Sequence, residues 1–440
     1  MSEVSAAVGP RGVSAARVSR GVSVAVVTGA LVALSAPSAV PAPQPRTERV
    51  TVSATGEQGD DNAYGPQFSA DGRFALFTAY ASNLVPGDTN KSSDVFVRDL
   101  RRGTVERVDV ASDGGQAVGG ESSARAISAD GRYVLFSSNA RNLVHWDHPP
   151  ADEAAQDVYL RDRRTGRTQR LSVALDGGSA FTANATMSAN ARYIAFNAKA
   201  DRMEHNPGDL FGAVYVLDRR TGTVERVSRR DRPTDPSLLS AISADGRYVS
   251  YTQMVPRSGN GATWVHDRRT GTEERVNVKP DGTPAEHYAN SVTLSADGRT
   301  VAFQYWGDDL VPGETQDDGT HVYVRDLRTD VTRRIDAAPA GGSGPRYPLL
   351  DPDGRHVVYQ ADPRLADGRL GPANVYLRDL RTGATRLVST AVSGGPVTDD
   401  SVEAYSVGAG GHRIGLGSDS SQLVRGDTNG HYDGFVRRVR

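Results

Sequence analysis

The sequence predicts an all-β fold, a seven-bladed β-propeller of four-stranded antiparallel blades, and three observations lead to this prediction. A phrase that reads SADGRYVLF at 128 returns as SADGRFALF at 69, SANARYIAF at 188, SADGRYVSY at 243, SADGRTVAF at 295 and DPDGRHVVY at 351. A second phrase, such as DVFVRDLRRGTVERV at 94, follows each copy, and the two ends of the chain complement each other. Such self-similarity indicates a repeat architecture, in which each copy is one supersecondary unit.

The first phrase predicts a β-hairpin. Asp-Gly is the strongest short hairpin signal, because a type I′ turn requires positive φ at both central residues and glycine adopts it freely. We therefore expect one strand, strand a, to end near Ser128 and the next, strand b, to begin at Arg132.

The second phrase predicts another hairpin, of strands c and d. Two runs rich in β-forming residues flank a polar turn in each copy: DVYLRDRRTGRTQRL at 157, AVYVLDRRTGTVERV at 213, ATWVHDRRTGTEERV at 262, HVYVRDLRTDVTRRI at 321 and NVYLRDLRTGATRLV at 374. Four-stranded units repeated radially are the signature of a propeller. The alternative, a linear stack of units, needs capping ends that the sequence does not contain.

The two ends of the chain predict a closed ring. A divergent seventh copy, GAGGHRIGL, begins at 408. DGFVRRVR follows it and supplies only a third strand. The segment RTERVTVSATGEQG at 46 matches GTVERVDVASDGGQ at 103, which contains a fourth strand. We therefore expect the N-terminal strand to complete the last blade, so that residues 43–440 form a single seven-bladed domain.

Residues 1–42 have the layout of a secretory signal peptide. Arg11, Arg17 and Arg20 precede an apolar run at 22–36, and small residues and prolines follow. The run is shorter than the roughly 20 residues that a membrane helix needs. We expect an exported protein, extracellular or in the cell envelope, with no membrane span in the mature chain.

Composition and missing motifs limit the function. The formal net charge of −2 argues against nucleic acid as a partner, and the absence of cysteine excludes disulfides, lipobox acylation and thiolate metal sites. The sequence contains no G-x-S-x-G, P-loop, H-E-x-x-H or dinucleotide fingerprint, so it identifies no catalytic residue. We expect a monomer without a required cofactor.

The grammar S-x-D-G-R-x-V-x-F followed by D-V-Y-x-x-D-x-x-T-G-x-x-x-R-V resembles the PD40, or WD40-like, repeats of the TolB-like propeller family. The resemblance covers about residues 45–440 and implies a propeller throughout the mature chain. For TolB itself it implies six blades behind a small α/β domain. This chain departs from that plan, so the family's lipoprotein-binding role is not carried over.

The meander predicts two different faces. The a-b and c-d turns share one face, the turn face, and the b-c and d-a loops share the other, the loop face. On the turn face the arginine that opens strand b should pair with the aspartate that closes strand c. The expected pairs are Arg132 with Asp162, Arg247 with Asp267, Arg299 with Asp326 and Arg355 with Asp379, and Arg438 breaks the rule in the last blade.

Two loops on the loop face contain candidate calcium ligands. The phrases NLVPGDTNKSSDVF at 83 and QLVRGDTNGHYDGF at 422 place oxygen-bearing side chains at alternating positions. The candidates are Asp88, Asn90 and Asp94 in the first loop, and Asp427, Asn429 and Asp433 in the second. The alternative is an Asx turn that only shapes the loop.

Two further sets of polar residues belong to the loop face. His145, Asp147 and His148, with His205 from the next repeat, could approach one another as metal ligands, although surface histidines usually have no such role. A rim of mostly acidic residues should surround the mouth of the central channel and could hold a cation or a basic peptide, the alternative being a solvated rim. Its members are Asp61, Glu121, Asp235, His287, Arg346, Asp399, Asp400 and Glu403.

The leading functional interpretation is a secreted, non-enzymatic scaffold that binds a protein or cell-envelope ligand with the loop face, where binding residues accumulate on rigid frameworks. One alternative is a propeller-type polysaccharide lyase or glycosidase with a metal held by the loops. Another is a structural protein stabilised by calcium. The fold does not decide among them, because function lies in the site.

Overall fold

The chain folds into seven antiparallel four-stranded sheets that follow one another as the blades of a β-propeller. The structure is a computed structural model that describes residues 46–145, 156–171, 184–199, 203, 212–230, 236–255, 260–307, 309–313, 320–335 and 342–439. The described part lies within the compact unit Pro45–Arg440. The predicted signal peptide at 1–42 lies outside the described residues, and no described helix is long and apolar enough to cross a membrane.

The strands of each blade are consecutive in the chain. Blades one to three contain β2 (Ala63–Phe68), β3 (Phe74–Ala79), β4 (Asp94–Asp99), β5 (Val105–Arg107); β6 (Ser122–Ile127), β7 (Tyr133–Ser138), β8 (Asp157–Asp162), β9 (Arg167–Arg170); and β10 (Ala185–Met187), β11 (Tyr193–Lys199), β12 (Gly212–Asp218), β13 (Thr223–Arg226). Blades four to six contain β14 (Ser237–Ile242), β15 (Tyr248–Met254), β16 (Gly261–Asp267), β17 (Thr272–Arg275); β18 (Ala289–Leu294), β19 (Thr300–Trp306), β20 (Thr320–Asp326), β21 (Val331–Arg334); and β22 (Arg346–Leu350), β23 (His356–Ala361), β24 (Asn374–Asp379), β25 (Thr385–Leu387).

The seventh blade is closed by the N-terminal strand, as the sequence predicts. Its sheet contains β1 (Arg46–Arg49), β26 (Glu403–Val407), β27 (Arg413–Ser418) and β28 (Asp433–Arg438). β1 pairs antiparallel with β28, from Arg46 opposite Arg438 to Arg49 opposite Phe435. A short 3-10 turn at Ala409–Gly411 stands between β26 and β27.

In five blades the facing residues at the middle of the second and third strands are stacked aromatic rings. The ring centroids lie 5.5 to 6.0 Å apart in the pairs Phe77–Phe96, Phe136–Tyr159, Phe196–Tyr215, Phe303–Tyr323 and Tyr359–Tyr376. Aromatic pairs on facing strands stabilise a sheet beyond the area that they bury. The apolar b and c strands predicted from the repeat therefore form the blade cores.

Backbone hydrogen bonds join the a-b turns of successive blades. The alanine of each S-A-D-G-R copy donates its N–H to the carbonyl of the corresponding residue in the next blade, over 2.8 to 3.1 Å. The bonds are Ala70 to Ala129, Ala129 to Ala189, Ala189 to Ala244, Ala244 to Ala296 and Ala296 to Pro352. Pro352 has no N–H to continue this series. Between blades six and seven the Gly410 N–H donates to the Asp353 carboxylate, and between blades seven and one the Arg413 guanidinium donates to the Asp71 carbonyl, so contacts continue around the ring.

The hairpin prediction is confirmed, but the turn is not of type I′. Of the two central residues of the second blade's a-b turn, Gly131 has positive φ, at 71°, and Asp130 does not. Asp130 instead accepts hydrogen bonds from the Ser128 hydroxyl at 2.6 Å and the Arg132 N–H at 3.0 Å. The aspartate is therefore selected as an acceptor that fixes a four-residue turn rather than for left-handed backbone.

Three of the four predicted cross-strand ion pairs are present. Arg132 binds Asp162, Arg247 binds Asp267, and Arg355 lies 3.3 Å from Asp379. The same pair occurs in two further blades, as Arg73 with Asp99 and Arg192 with Asp218. In the first of these, hydrogen bonds from Arg73 lower the pKa of Asp99 to about 2.

The fourth predicted pair, Arg299 with Asp326, is wrong. Arg299 lies 3.9 Å from Asp297 of its own turn, and Asp326 accepts the backbone N–H groups of Arg328 and Thr329. In the last blade His412 and Arg438 occupy the positions of the usual arginine and aspartate, and Arg438 reaches Glu48 of the closing strand at 3.5 Å.

The turn glycines should be critical where blades meet. A Cβ added to Gly246 would lie 2.2 Å from the Tyr193 ring, whereas a Cβ added to Gly222 would meet nothing within 4 Å, and both residues have positive φ. Left-handed backbone costs a non-glycine residue about 1–2 kcal/mol. We expect Gly222→Ala to lose about that amount, and Gly246→Ala to lose at least about 2 kcal/mol more because the cores of adjacent blades must shift.

Urea unfolding measures the free energy that each variant loses. Gly222→Ala is the control for backbone strain alone. Equal losses of unfolding free energy would show that the contact between blades does not constrain the turn.

Candidate functional site

The first Asp-Thr-Asn loop closes around an arginine. The Arg107 guanidinium, from strand β5, lies 3.1 Å from a carboxylate oxygen of Asp88 and 3.5 Å from one of Asp94. The Asn90 side-chain amide donates to Asp94 at 2.9 Å and to the Ala117 carbonyl at 3.0 Å. Burial, with the neighbouring Asp94, raises the pKa of Asp88 to about 6.

The second loop repeats this arrangement across the ring closure. Arg49, from the N-terminal strand β1, lies 2.6 Å from Asp427 and 3.2 Å from Asp433. The Asn429 amide donates to Asp433 and to the Gly59 carbonyl, each at 3.1 Å. The structure therefore brings the three predicted ligands of each loop near one another, with a guanidinium beside the two carboxylates.

This geometry favours the Asx-turn alternative over a calcium site. Each loop already holds a cationic side chain, and its asparagine oxygen accepts a backbone N–H two residues on. Among the described residues no group of three or more His, Asp or Glu side chains is placed to hold a metal ion. His145 is described, whereas Asp147, His148 and His205 of the predicted histidine site lie outside the described residues.

Beside the first loop lies a buried carboxyl pair that sequence reasoning missed. Asp109 is fully buried, and one of its oxygens accepts the Val95 N–H at 2.9 Å. Burial, with the nearby Asp94, raises the pKa of Asp109 well above its usual value. The fourth blade has Asn277 at this position, and its oxygen accepts the Thr263 N–H at 3.0 Å in the same way. The repeat alignment contains this correspondence, because R-V-D-V at 107 aligns with R-V-N-V at 275.

At the channel mouth, Glu403 belongs to a cluster of tyrosines. Its carboxylate accepts hydrogen bonds from the hydroxyls of Tyr405 at 2.9 Å and Tyr432 at 3.0 Å. Tyr64 stacks on Tyr432 with ring centroids 5.1 Å apart. Burial raises the pKa of Tyr405 and of Tyr432 above the usual range, so both phenols stay protonated and act as hydrogen-bond donors.

The other predicted acidic residues of the mouth shape local loops. Asp399 accepts from the Ser420 hydroxyl at 2.6 Å and the Ser421 N–H at 3.1 Å. Asp61 and Asp400 each accept the N–H of the following residue, and Glu121 lies 3.5 Å from the Tyr80 hydroxyl. The structure does not gather these carboxylates into one cation site, and Asp235 lies outside the described residues.

The remaining two predicted residues, His287 and Arg346, lie beside exposed aromatic rings of blades five and six. His287 stacks on Trp306, with ring centroids 5.6 Å apart and planes 24° apart. Arg346 is held by Asp362 at 3.0 Å. Next to it, Tyr347 has positive φ at 53° and donates its N–H to Gln304 at 3.2 Å.

Exposed aromatic side chains concentrate at the loop-face ends of the inner strands. The aromatic residues classed as exposed within the described ranges are Tyr64, Tyr80, Trp306 and Tyr347, with exposed fractions of 37, 38, 58 and 52%. Tyr64 and Tyr347 are each the second residue of the first strand of a blade. Trp306 is the last residue of the second strand of blade five, and Tyr80 directly follows the second strand of blade one. We call these four residues the aromatic rim. Sequence reasoning missed it because periodicity alone does not distinguish a core ring from one just beyond the core.

No protein-family model and no curated protein matches the chain. Among solved structures, an oligogalacturonate lyase in complex with manganese is 13% identical with a TM-score of 0.53, over 90% of this chain and 93% of that one. An oligogalacturonate lyase from Vibrio parahaemolyticus is 13% identical with a TM-score of 0.54, over 90% and 97% of the two chains.

The propeller domain of the Trilobed protease from Pyrococcus furiosus is also similar, at 11% identity and a TM-score of 0.53, over 86% of this chain and 93% of that one. TolB from Acinetobacter baumannii is matched at a TM-score of 0.37, a value too low for an argument. At these identities the likenesses show the propeller fold alone, and membership of the PD40 family stays a prediction.

The calcium hypothesis has a direct test. We expect the melting temperature of residues 43–440 to be the same in millimolar Ca²⁺ and in EDTA, because Arg49 and Arg107 already neutralise the loop carboxylates. A rise of several degrees with Ca²⁺ in the unaltered protein would contradict this assignment.

The arginine should instead stabilise the loop. Arg107→Met leaves two carboxylates without their ion-pair partner, and removing one member of a buried pair costs about 3–5 kcal/mol. The matched control is Arg101→Met, whose partner Asp71 is exposed and 3.9 Å away, and it should cost less than about 1 kcal/mol. Equal losses of unfolding free energy in Arg107→Met and Arg101→Met, measured in urea, would contradict a structural role for Arg107.

The buried carboxyl makes stability depend on pH. Because the folded chain keeps the Asp109 proton to a higher pH than the unfolded chain does, stability falls as pH rises above about 4 towards the folded pKa. Asp109→Asn removes this loss. We expect the variant to be more stable than the parent by at least about 1 kcal/mol at pH 8, with the difference shrinking towards pH 4.

Urea unfolding across that pH range provides the measurement. The reciprocal change, Asn277→Asp, should introduce the same alkaline destabilisation in the fourth blade. Parallel pH profiles for the parent and Asp109→Asn would contradict the assignment.

Proposed function

We propose that the protein is an exported, non-enzymatic binding scaffold that takes a protein ligand of the cell envelope on its loop face, at the mouth of the central channel. The observation that supports this function is the aromatic rim. Trp306 and Tyr347 are more than half exposed, although they lie at the ends of rigid strands. Tyrosine and tryptophan are enriched in protein interfaces relative to the rest of the protein surface.

Tryptophan and tyrosine suit this role physically. Their rings bury a large area at little cost in side-chain entropy, and they are enriched among residues that dominate interface energies. Trp306 is backed by His287, Tyr64 is backed by Tyr432, and the backbone at Tyr347 is held by Gln304. A ligand would therefore meet surfaces that are already ordered, which reduces the cost of binding.

The polar groups of the mouth would supply specificity. Arg346 is fixed by Asp362 on the side of blades five and six, and Glu403 is fixed by Tyr405 and Tyr432 on the side of blades seven and one. Two oppositely charged, immobilised groups in different blades can orient a ligand that contacts both.

The chemistry of the described residues favours binding over catalysis. The tyrosines beside Glu403 stay protonated, so they are poor general bases at neutral pH. The described carboxylates at the mouth serve as loop caps or tyrosine acceptors. The lyase alternative rests on the predicted loop metal, three of whose four predicted residues are not described, and it enters the test as a competing outcome.

The experiment is a pull-down with three immobilised forms of the mature chain and solubilised envelope proteins of the source organism. The first is the parent, the second carries Trp306→Ala and Tyr347→Ala, and the third carries Val224→Ala and Val331→Ala. These valines are exposed hydrophobic residues at the turn-face ends of fourth strands, and they control for loss of exposed apolar area.

We expect specific proteins to be retained by the parent and by the valine control but lost from the rim variant, because each buried aromatic anchor contributes about 2 kcal/mol or more. Equal retention by all three forms would place binding elsewhere. If no protein is retained and the parent releases unsaturated uronic ends from polysaccharides with added Mn²⁺ or Ca²⁺, the lyase alternative replaces this proposal.

A further inference from the structure

On the turn face, an arginine lies in the cleft between blades one and two and contacts both blades. Arg163 of blade two reaches back to blade one, with its guanidinium carbon 4.5 Å from the centroid of the Phe74 ring. It also binds Glu106 at 3.0 Å and donates to the carbonyl of Gly131. The cleft thus offers a guanidinium three partners: an aromatic face, a carboxylate and a glycine carbonyl.

The cleft between blades three and four repeats the device with different residues. The Arg268 guanidinium carbon lies 4.3 Å from the centroid of the Tyr193 ring. Arg268 also pairs with Glu225 and donates to the Gly246 carbonyl. Cation–π stacking together with a charge-assisted hydrogen bond is a strong way to hold a planar cation.

The cleft between blades four and five contains the same three partners, but the position that Arg163 and Arg268 occupy in the other clefts is not an arginine here. Tyr248, Glu274 and Gly298 occupy the repeat positions of Tyr193, Glu225 and Gly246. Leu327 stands where the arginine would be, and its N–H bonds to the Arg299 carbonyl as the Arg268 N–H bonds to the Arg247 carbonyl. A cavity of about 520 Å³ remains, lined by Tyr248, Glu274, Gly298 and Leu327 among others.

Glu274 is poorly satisfied in this cavity. Its buried Oε1 atom has no hydrogen-bond partner. The nearest guanidinium, that of Arg325, lies 3.7 Å away and already binds Asp330 at 2.7 Å. The Glu274 side chain is 39% exposed and its Oε1 atom accepts no hydrogen bond, so a guanidinium that entered the cavity could reach it and add a charge-assisted hydrogen bond.

The other acidic groups of the cavity are engaged. Asp267 is paired with Arg247, and Glu273 is bound by Arg229 at 2.9 Å and by the Tyr251 hydroxyl. Arg299 and Arg328 also line the cavity. Glu274 is therefore the carboxylate best placed to receive an incoming cation.

The neighbouring open clefts lack the full set of partners. Between blades five and six the aromatic and carboxylate positions are Thr300 and Arg333, and Leu380 takes the arginine position, around a cavity of about 290 Å³. Between blades six and seven, His356 and Arg386 take the aromatic and carboxylate positions, in a cavity of about 430 Å³. An arginine in place of the glutamate repels a cation, so these clefts serve as internal controls.

We propose that the cleft between blades four and five is a binding site for the arginine side chain of a peptide or protein partner. The incoming guanidinium stacks on Tyr248, pairs with Glu274 and donates to the Gly298 carbonyl, as the chain's own arginines do in two other clefts. Lysine is a poor substitute, because an ammonium has no planar face and cannot match the fork geometry. The site lies on the turn face, so it is independent of the aromatic rim.

The first test titrates the mature chain with Nα-acetyl-arginine amide by calorimetry. We expect saturable binding to one site with a dissociation constant on the order of 1 mM, as suits a single side chain. The citrulline analogue, which keeps the shape but loses the charge, and the lysine analogue should each bind at least about tenfold more weakly. Equal binding of the citrulline analogue would overturn the proposal, and so would the absence of saturation.

Free arginine distinguishes the source of the ligand. A site for a side chain within a peptide should bind the blocked amide at least as well as the free amino acid. Binding of free arginine without binding of the blocked amide would indicate an amino-acid site and would contradict the peptide assignment.

Variants test the place of binding. Leu327→Arg fills the cleft with an arginine of the chain itself, and it should abolish probe binding while raising the melting temperature. Leu380→Arg makes the same change in the incomplete cleft between blades five and six, and it should leave probe binding unchanged. Unaltered binding in Leu327→Arg would place the probe elsewhere and overturn the proposal.

A gain of binding provides the strongest check. Arg268→Leu vacates the cleft between blades three and four, whose partners Tyr193, Glu225 and Gly246 remain. We expect this variant to bind two equivalents of the arginine probe where the parent binds one. A folded variant, judged by its circular dichroism, that still binds one equivalent would show that the three partners are not sufficient.

Discussion

The backbone hydrogen bonds between successive a-b turns are the constraint on which the rest of the propeller depends. Each alanine N–H is directed at the next turn's carbonyl, so every turn must hold one shape and one distance from its neighbour. In the first five copies a serine and an aspartate, or in one copy an asparagine, fix that shape through side-chain hydrogen bonds, as Ser128 and Asp130 do. This requirement explains why the phrase recurs with so little change, and it confines sequence variation to the opposite face.

Closure of the ring imposes a second constraint, which the Asp-Thr-Asn loops meet. β1 comes from the far end of the chain, and Arg49 ties it to Asp427 and Asp433 of the last blade. The same loop in blade one uses Arg107 from its own fourth strand. A loop that looks like a calcium site in sequence therefore anchors the fourth strand of its blade, and the aromatic rim is left as the distinctive exposed surface of the loop face.

Much of this fold could be predicted from the repeated phrases, because they state the strand order, the number of blades and the ion pairs on the turn face. The turn type could not, since Asp-Gly suits several hairpins and only the structure shows that Asp130 has negative φ. The arginine partners of the loop carboxylates were hidden because Arg49 and Asp427 are far apart in sequence. The replacement of arginine by leucine in the cleft between blades four and five is visible in the sequence, where D-L-R-T at 326 aligns with D-R-R-T at 267. The binding site proposed there could not be predicted, because that requires knowing which residues of the preceding blade face the cleft.

We propose that the loop face, through its aromatic rim, binds an envelope protein. Site-specific photocrosslinking in the source organism tests it most directly, with a photoreactive phenylalanine analogue placed at Tyr347 or, as the matched position on the turn face, at Val224. The account predicts a discrete crosslinked protein from position 347 and none from position 224. A crosslink from position 224 alone, or none from 347 in a folded and exported protein, would contradict it.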